Sequence, residues 1–425
     1  MRILTKLDIR NNKIVKGLNY EGVESKGEYY DVYKKINNYI SNKVNRQFEI
    51  ILNDVTASLY NINSGREDIC NILNNKVFSL PHIVSGGLKD INCVKYFLNK
   101  GTDRIMINTS LVENINIIDP IIELYGSQIL IPTIEVKYLD NDYYIYTNYG
   151  REDTNIKLSQ WILKLVKKGI IEIFIISIDT DGLMKGYDKK LMKYLKKFLD
   201  KNELNISFLY GGGIIDIDKT IEEIEEKYNF IKGICISSLF YSNMDKIECN
   251  IKKIEKKNND KMYFLNYLEG NSISVKNHFS KIYDCEFVDS IKNIPDNKTL
   301  CIAGHYNSYK LIQDIENKNE IDILRNKIKN NSIKYIGICA GFQILFDKIY
   351  DEFGDNFKIG IGILKSEDYQ YIKLDFPNIG FKDVKGSFKF FCHSYMMKNK
   401  KTDNFLSQYI EDNIEGYQFH PENSL

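Results

Sequence analysis

Short runs of β-branched and aliphatic residues recur along the first part of the chain, and each is followed by a longer stretch in which apolar residues return at helical spacing. The runs predict strands near 2–8, 48–54, 82–86, 104–108, 129–135, 172–177, 206–211 and 234–237. Eight strands alternating with helices over about 250 residues predict a (β/α)8 TIM barrel, whose active site stands at the C-terminal ends of its strands. Those ends carry Asp8, Asp54, Gly86 and Gly87, Asn108 and Thr109, Glu135, Asp179 and Asp181, Gly211 to Gly213, and Ser237 and Ser238.

The barrel pattern repeats at half its length. LDIRNNKIVKG around Asp8 echoes IEVKYLDNDYYIY around Glu135, SGGL echoes YGGGI, and INTSL echoes ISSLF, all at offsets of about 126–129 residues. Glycine-rich strand ends followed by small hydroxyl residues leave backbone N–H groups to cradle a phosphate. Two such cradles on opposite sides of one barrel mouth imply a substrate with a phosphate at each end, and Asp8 and Glu135 between them form a candidate acid and base pair. Charged residues open four of the apolar strands, namely Arg2, Glu49, Arg104 and Glu172. They converge at the barrel floor, either as a structural ion-pair ring or as something functional.

The chain has 425 residues, more than one core usually holds, so two domains are expected. The segment KKIEKKNNDK at Lys252–Lys261 is charged and has no apolar stripe, which marks a linker and divides the chain into 1–257 and 258–425. With 43% hydrophobic residues and 58 basic against 57 acidic ones, the chain can bury sizeable cores and has no electrostatic bias toward nucleic acid. No run approaches the roughly 18 apolar residues of a membrane helix, so a cytoplasmic enzyme or binding protein is expected. The eight cysteines form no Cys-x-x-Cys pair and do not cluster with the five histidines, so neither zinc nor a disulfide framework is expected.

In the second domain, YIGICAGFQILF places Cys339 between a β run and a helix start, in a Gly-x-Cys-x-Gly setting. This is the thiol version of a nucleophile elbow. GYQFHPENSL supplies His420 and, two residues on, Glu422, on one face of an extended segment, as a base and its orienting carboxylate. His393 in FFCHSYMM is a competing base with no carboxylate at suitable spacing.

Both halves carry motifs of one family. KLDIRNNKIVKG, DVTAS, GTDRIMINTSLVEN, YGSQ, SIDTDGLMKGYD and Gly211–Gly213 in the barrel, with EGN, GICAGFQILF, FPNIGF, FCHSY and YQFHPENS beyond it, make the chain similar to imidazole glycerol phosphate synthases, the glutamine amidotransferases of histidine biosynthesis. The resemblance implies a cyclase barrel followed by a doubly wound α/β class I glutaminase domain, an order opposite to that of the familiar fused forms. It implies that glutamine is split at Cys339 and that ammonia crosses the barrel. There it meets a bisphosphorylated ribulosyl formimino-aminoimidazole carboxamide nucleotide, giving imidazole glycerol phosphate and aminoimidazole carboxamide ribotide. Asp8 and Glu135 match the catalytic acid and base, Glu135 standing where aspartate is usual. Gly87, Asn108 and Thr109 match one phosphate site; Gly212, Gly213 and Ser238 match the other, where Tyr210 replaces a small residue. Lys16, in the first loop, and Asp181 match substrate contacts. Arg2, Glu49, Arg104 and Glu172 match an ammonia gate, with Arg104 in place of lysine. Gly304 and Ala340 match the oxyanion loop, here Ala303-Gly304-His305-Tyr306. The implied chemistry needs no metal or organic cofactor, and its glutaminase partner is supplied in cis. A related ammonia-channelling amidotransferase acting on a surface-polysaccharide sugar is the alternative, favoured by Glu135 and Tyr210 and opposed by Asp8. A further one is an assembly with one domain serving only as scaffold, opposed by Cys339, His420 and Glu422.

Overall fold

The computed structural model describes residues 1–18, 21–41, 48–62, 65–74, 80–242, 260–268, 272–280, 283–304, 307–350, 356–384, 387–402, 406–411 and 413–420. The expected domain boundary near 258 lies outside them, as do Glu422, His305 and Tyr306.

Eight parallel strands close into a barrel. They are β1 (Arg2–Arg10), β2 (Phe48–Asp54), β3 (His82–Ser85), β4 (Arg104–Ile107), β5 (Leu130–Leu139), β6 (Glu172–Ser177), β7 (Ser207–Gly211) and β8 (Ile231–Cys235). Each pairs in sequence with the next, and β8 returns to β1 with Leu4 opposite Cys235. β8 begins earlier than its sequence pattern predicts and ends at Cys235, because Ser237 already opens a helix. The half-barrel echo is visible in the backbone. β1 continues into an antiparallel excursion through Lys13–Leu18 and Glu21–Glu28, and β5 into a matching one through Asp142–Thr147 and Glu152–Lys157. Lys16, expected in a loop, thus stands on a strand of the first excursion.

The helices pack by amphipathic stripe. In Lys189–Asn202 the buried residues are Leu191, Met192, Leu195 and Leu199, one face of an α-helix, and Asp188 caps its start through the N–H groups of Lys190 and Leu191. The layer between helices and strands is largely apolar and includes Ile50, Leu52, Val84, Ile105, Ile173, Ile175 and Tyr210. No helix among the described residues is long and apolar enough to cross a membrane.

Beyond the barrel lies a mixed sheet. Its strands are β9 (Lys261–Leu265), β10 (Asp284–Val288), β11 (Lys298–Ile302), β12 (Ile333–Ile338), β13 (Gln408–Glu411) and β14 (Ile414–Tyr417), in the order β10-β9-β11-β12-β14-β13. Only β13 runs antiparallel to its neighbour. A separate two-stranded ribbon, Tyr369–Val384 with Ser387–Asn399, packs against the barrel at the short turn Ser127–Ile129. Cys392 from this ribbon joins the barrel's own core.

Candidate functional site

Alternation along the barrel strands sorts the interior into layers, because every second side chain points inward. On β1 these are Arg2, Leu4, Lys6 and Asp8, in ascending order. The floor holds Arg2, Glu49, Arg104 and Glu172, all buried. Above it lies an apolar layer of Leu4, Ile51, Ile83, Met106, Ile131, Phe174 and Leu209. The mouth above that is polar.

Two cavities open at the mouth. One is lined by Gly86, Gly87, Asn108, Thr109 and Glu135 among others; the second by Lys16, Asp181, Gly212, Gly213, Ser237 and Ser238. The structure therefore brings together the two groups of residues that sequence assigned to two phosphate cradles. A methyl group at Gly213 would stand 2.2 Å from the Gly186 carbonyl oxygen, and its φ is +76°, so only glycine fits this turn. Lys16 reaches across from the first excursion to Asp181 at 2.8 Å. Tyr210, expected in the second phosphate loop, is not there. It is the outward neighbour of Leu209, its ring is fully buried under the helices, and its hydroxyl accepts from the Asp188 N–H at 2.8 Å.

Glu135 Oε2 accepts from the Gly150 N–H at 2.8 Å and from Asn108 Nδ2 at 3.2 Å. Asp8, the other member of the expected acid and base pair, is buried and engaged by neighbouring side chains. Its Oδ1 accepts from Asn53 Nδ2 at 2.7 Å and faces Lys6 Nζ at 3.2 Å, and its Oδ2 accepts from the Tyr149 hydroxyl at 3.0 Å. Among the described residues lining the two cavities, Asp8 is not one, whereas Lys6 lines both. Burial alone would lower the Lys6 pKa, but the carboxylates of Asp8, Glu135 and Asp181 prevail and raise it. Tyr149, buried and beside Asp8, is pushed well above the usual phenol range. Sequence reading missed Lys6, Asn53 and Tyr149. The first two were accessible from alternation, since Lys6 is one pleat below Asp8 and Asn53 pairs with Asp8 in register; Tyr149, on a loop, gave no such signal. Asp54 and Asp179 serve the backbone, accepting from the N–H groups of Thr56 and Gly65 and of Tyr138 respectively.

On the floor, Arg2 bridges Glu49 at 3.2 Å and also bonds Glu172, and Arg104 meets Glu172 at 2.6 Å. Arg104 Nε additionally donates to the Gln128 carbonyl at 2.7 Å. Burial tends to raise both glutamates. The two arginines reverse this for Glu172, which is lowered, whereas Glu49 stays raised.

In the second unit, Cys339 has φ 52° and ψ −111°, a left-handed turn between β12 and the helix Ala340–Gln343. The flanking glycines are required by contact, since a methyl group at Gly341 would lie 2.1 Å from the Ile302 carbonyl oxygen and one at Gly337 would lie 2.6 Å from that of Gly341. Gly304 sits between the two predicted reactive side chains: a methyl there would stand 3.0 Å from His420 Cε1 and 3.3 Å from Cys339 Cβ. Cys339, Ala340, His420 and His393 are all buried. The Cys339 thiol faces the Cys392 carbonyl at 3.7 Å, while the Cys392 thiol faces the Gln128 carbonyl at 4.0 Å. The cysteine elbow is thereby connected to the barrel floor, at the carbonyl that also holds Arg104.

A family model described as histidine biosynthesis protein matches residues 2–246. The chain belongs to that family. Among curated relatives, the imidazole glycerol phosphate synthase subunit HisF of Sulfurisphaera tokodaii is 33% identical over 214 residues, half of this chain and 80% of the relative. The HisF subunit of Sulfolobus acidocaldarius is 31% identical over 219 residues, 51% of this chain and 82% of the relative. That of Campylobacter concisus is 27% identical over 279 residues, 65% of this chain and 97% of the relative. The barrel is thus a HisF-type cyclase domain, and the family match ends before β9.

Proposed function

We propose that the chain is a glutamine-dependent imidazole glycerol phosphate synthase with both activities in one polypeptide. The observation that carries this reading is the cysteine elbow with His420 beside it, joined through Cys392 and Gln128 to the floor of a HisF-type barrel. In this reading the Cys339 thiol gives its proton to His420 and attacks the carboxamide carbon of glutamine. Ammonia leaves, and water hydrolyses the thioester to glutamate. The Gly304 and Ala340 backbone N–H groups stabilise the oxyanion, and Glu422 orients His420. Ammonia passes the gate of Arg2, Glu49, Arg104 and Glu172 and reaches the mouth. There the Gly87, Asn108 and Thr109 cradle and the Gly212, Gly213 and Ser238 cradle hold the two phosphates of the ribulosyl nucleotide, Lys16 and Asp181 contact it, and Asp8 and Glu135 serve its proton transfers. The division at 257/258 and a cytoplasmic location complete the proposal.

The test measures glutamate release and nucleotide consumption together. Wild-type chain consumes the nucleotide with either glutamine or an ammonium salt, and the nucleotide stimulates glutamate release. Cys339→Ala loses the glutamine-dependent reaction and keeps the ammonium-dependent one; loss of both refutes the division of roles. Glutamate release with the nucleotide untouched refutes the acceptor and points to another, such as a sugar.

A further inference from the structure

The residue at the centre of the barrel mouth is Lys6, and nothing in the motifs assigns it a role. Among the described residues it is the one charged side chain shared by the linings of both cavities, where it stands with Phe174 and Ile176. Its backbone is fixed by strand β1 and by the N–H bond to Ser237 Oγ at 2.9 Å, and the Tyr149 ring lies 5.3 Å from its ammonium. Asp8 stands behind it at 3.2 Å, itself held by Asn53 and Tyr149. A bound molecule that occupies both cavities therefore passes over an ammonium group midway.

We propose that Lys6 is a further catalytic residue, whose ammonium donates a hydrogen bond to the oxygen that gains negative charge midway between the two phosphates, and that Asp8, beside its proton-transfer role, also holds this ammonium in place. This deepens the proposed function and rests on it. In a bisphosphorylated ketose derivative the group midway between the phosphates is the carbonyl that ammonia attacks. As the new C–N bond forms, the carbonyl π pair moves onto oxygen, and a fixed cation stabilises that charge more than it stabilises the neutral carbonyl. The surrounding carboxylates keep Lys6 protonated, which suits a standing cation rather than a proton donor. Asp8, Asn53 and Tyr149 hold the cation in place without filling the cavities.

The experiment compares wild type, Lys6→Met and Lys6→Arg in the ammonium-dependent reaction, with nucleotide affinity measured by calorimetry and folding by thermal midpoint. For Lys6→Met the expected result is a kcat lower by about 10²–10³-fold, the loss typical of one oxyanion donor, with nucleotide Kd within about threefold because both phosphate cradles remain. Lys6→Arg keeps the charge but moves the donor atoms. It folds, binds the nucleotide and loses at least about tenfold in kcat if the ammonium must touch the reacting oxygen. A Lys6→Met variant with kcat within threefold of wild type overturns the assignment. Where Met prevents folding, Lys6→Arg decides alone, and wild-type kcat in it shows that Lys6 only balances Asp8. A wild-type chain that neither binds nor consumes the nucleotide overturns the functional reading and this inference together. Normal wild-type turnover with normal Lys6 variants overturns this inference alone.

Discussion

Removing the charge of Glu172 tests the floor ring more sharply than any other change. Its carboxylate is 3% exposed and is shared by Arg2 and Arg104, the latter fully buried. Glu172→Gln leaves two buried guanidinium groups with Glu49 as the nearest remaining ring carboxylate, and breaking a buried pair by removing one partner costs about 3–5 kcal/mol. For a domain of barrel size each kcal/mol moves the midpoint by about 2–4 °C, so the expected fall in Tm is on the order of 10 °C at neutral pH. Glu49→Gln should do the opposite or nothing. Burial raises the Glu49 pKa, so the native state resists ionising it, and an amide removes that cost. The pH dependence has a definite sign for each. Glu172, lowered in the folded chain, contributes stability that is present above the ordinary carboxylate range and lost as pH falls through its lower folded value. Glu49, raised, contributes stability that is present below that range and lost as pH rises through its folded value. Thermal unfolding of both variants from about pH 3 to 8, followed by circular dichroism and calorimetry, checks this. Equal Tm losses in the two variants at neutral pH would refute the asymmetry argued from the ring.

Gly304→Ala introduces a methyl group between His420 Cε1 at 3.0 Å and Cys339 Cβ at 3.3 Å; glutamate release should fall at least about 10²-fold while the ammonium-dependent reaction persists, and a steady-state comparison of the two nitrogen sources checks it. Tyr210→Phe removes the acceptor of the Asp188 N–H, a loss of about 1–3 kcal/mol readable by urea unfolding. Because Tyr210 lies outside both cavities, phosphate-dependent nucleotide affinity should stay unchanged, and a weakened Kd would contradict its outward placement.

The barrel was legible because its strands are short continuous β-branched and aliphatic runs, buried on both faces, and its helices carry apolar stripes. That the glycine-rich strand ends gather at the mouth was legible for a related reason, since glycine pairs at strand ends leave few alternatives to a tight turn. Alternation alone turns Tyr210 away from the mouth and Lys6 into it. Asp8 was read correctly as an inward strand-end residue. Its enclosure by Tyr149 could not be read, because the contact joins residues 141 positions apart through a loop whose left-handed residues Asn148 and Tyr149 follow no periodic pattern. The long ribbon that carries Cys392 to the barrel was likewise invisible, since its docking depends on a short turn in the other half of the chain.

The floor ring is not equally strong on all sides. Arg2 and Arg104 converge on Glu172, and Arg2 also reaches Glu49, but among the described residues no hydrogen bond reaches either Glu49 carboxylate oxygen or the Arg104 NH2 group. The seam between Glu49 and Arg104 is therefore the side on which the ring separates with fewest bonds broken. Arg104 is tied elsewhere by its Nε to the Gln128 carbonyl, the same oxygen that the Cys392 thiol faces. Any shift of Cys392 acts on that shared acceptor, and Cys392 is also the residue whose carbonyl faces the Cys339 thiol. On the proposed reading, a thioester at Cys339 replaces the thiol proton that this carbonyl meets, disturbing the chain of contacts at the moment ammonia is released. On that same reading, the apolar layer above, from Leu4 to Leu209, disfavours ammonium relative to neutral ammonia, because an unpaired charge in such a layer loses its hydration with nothing to replace it.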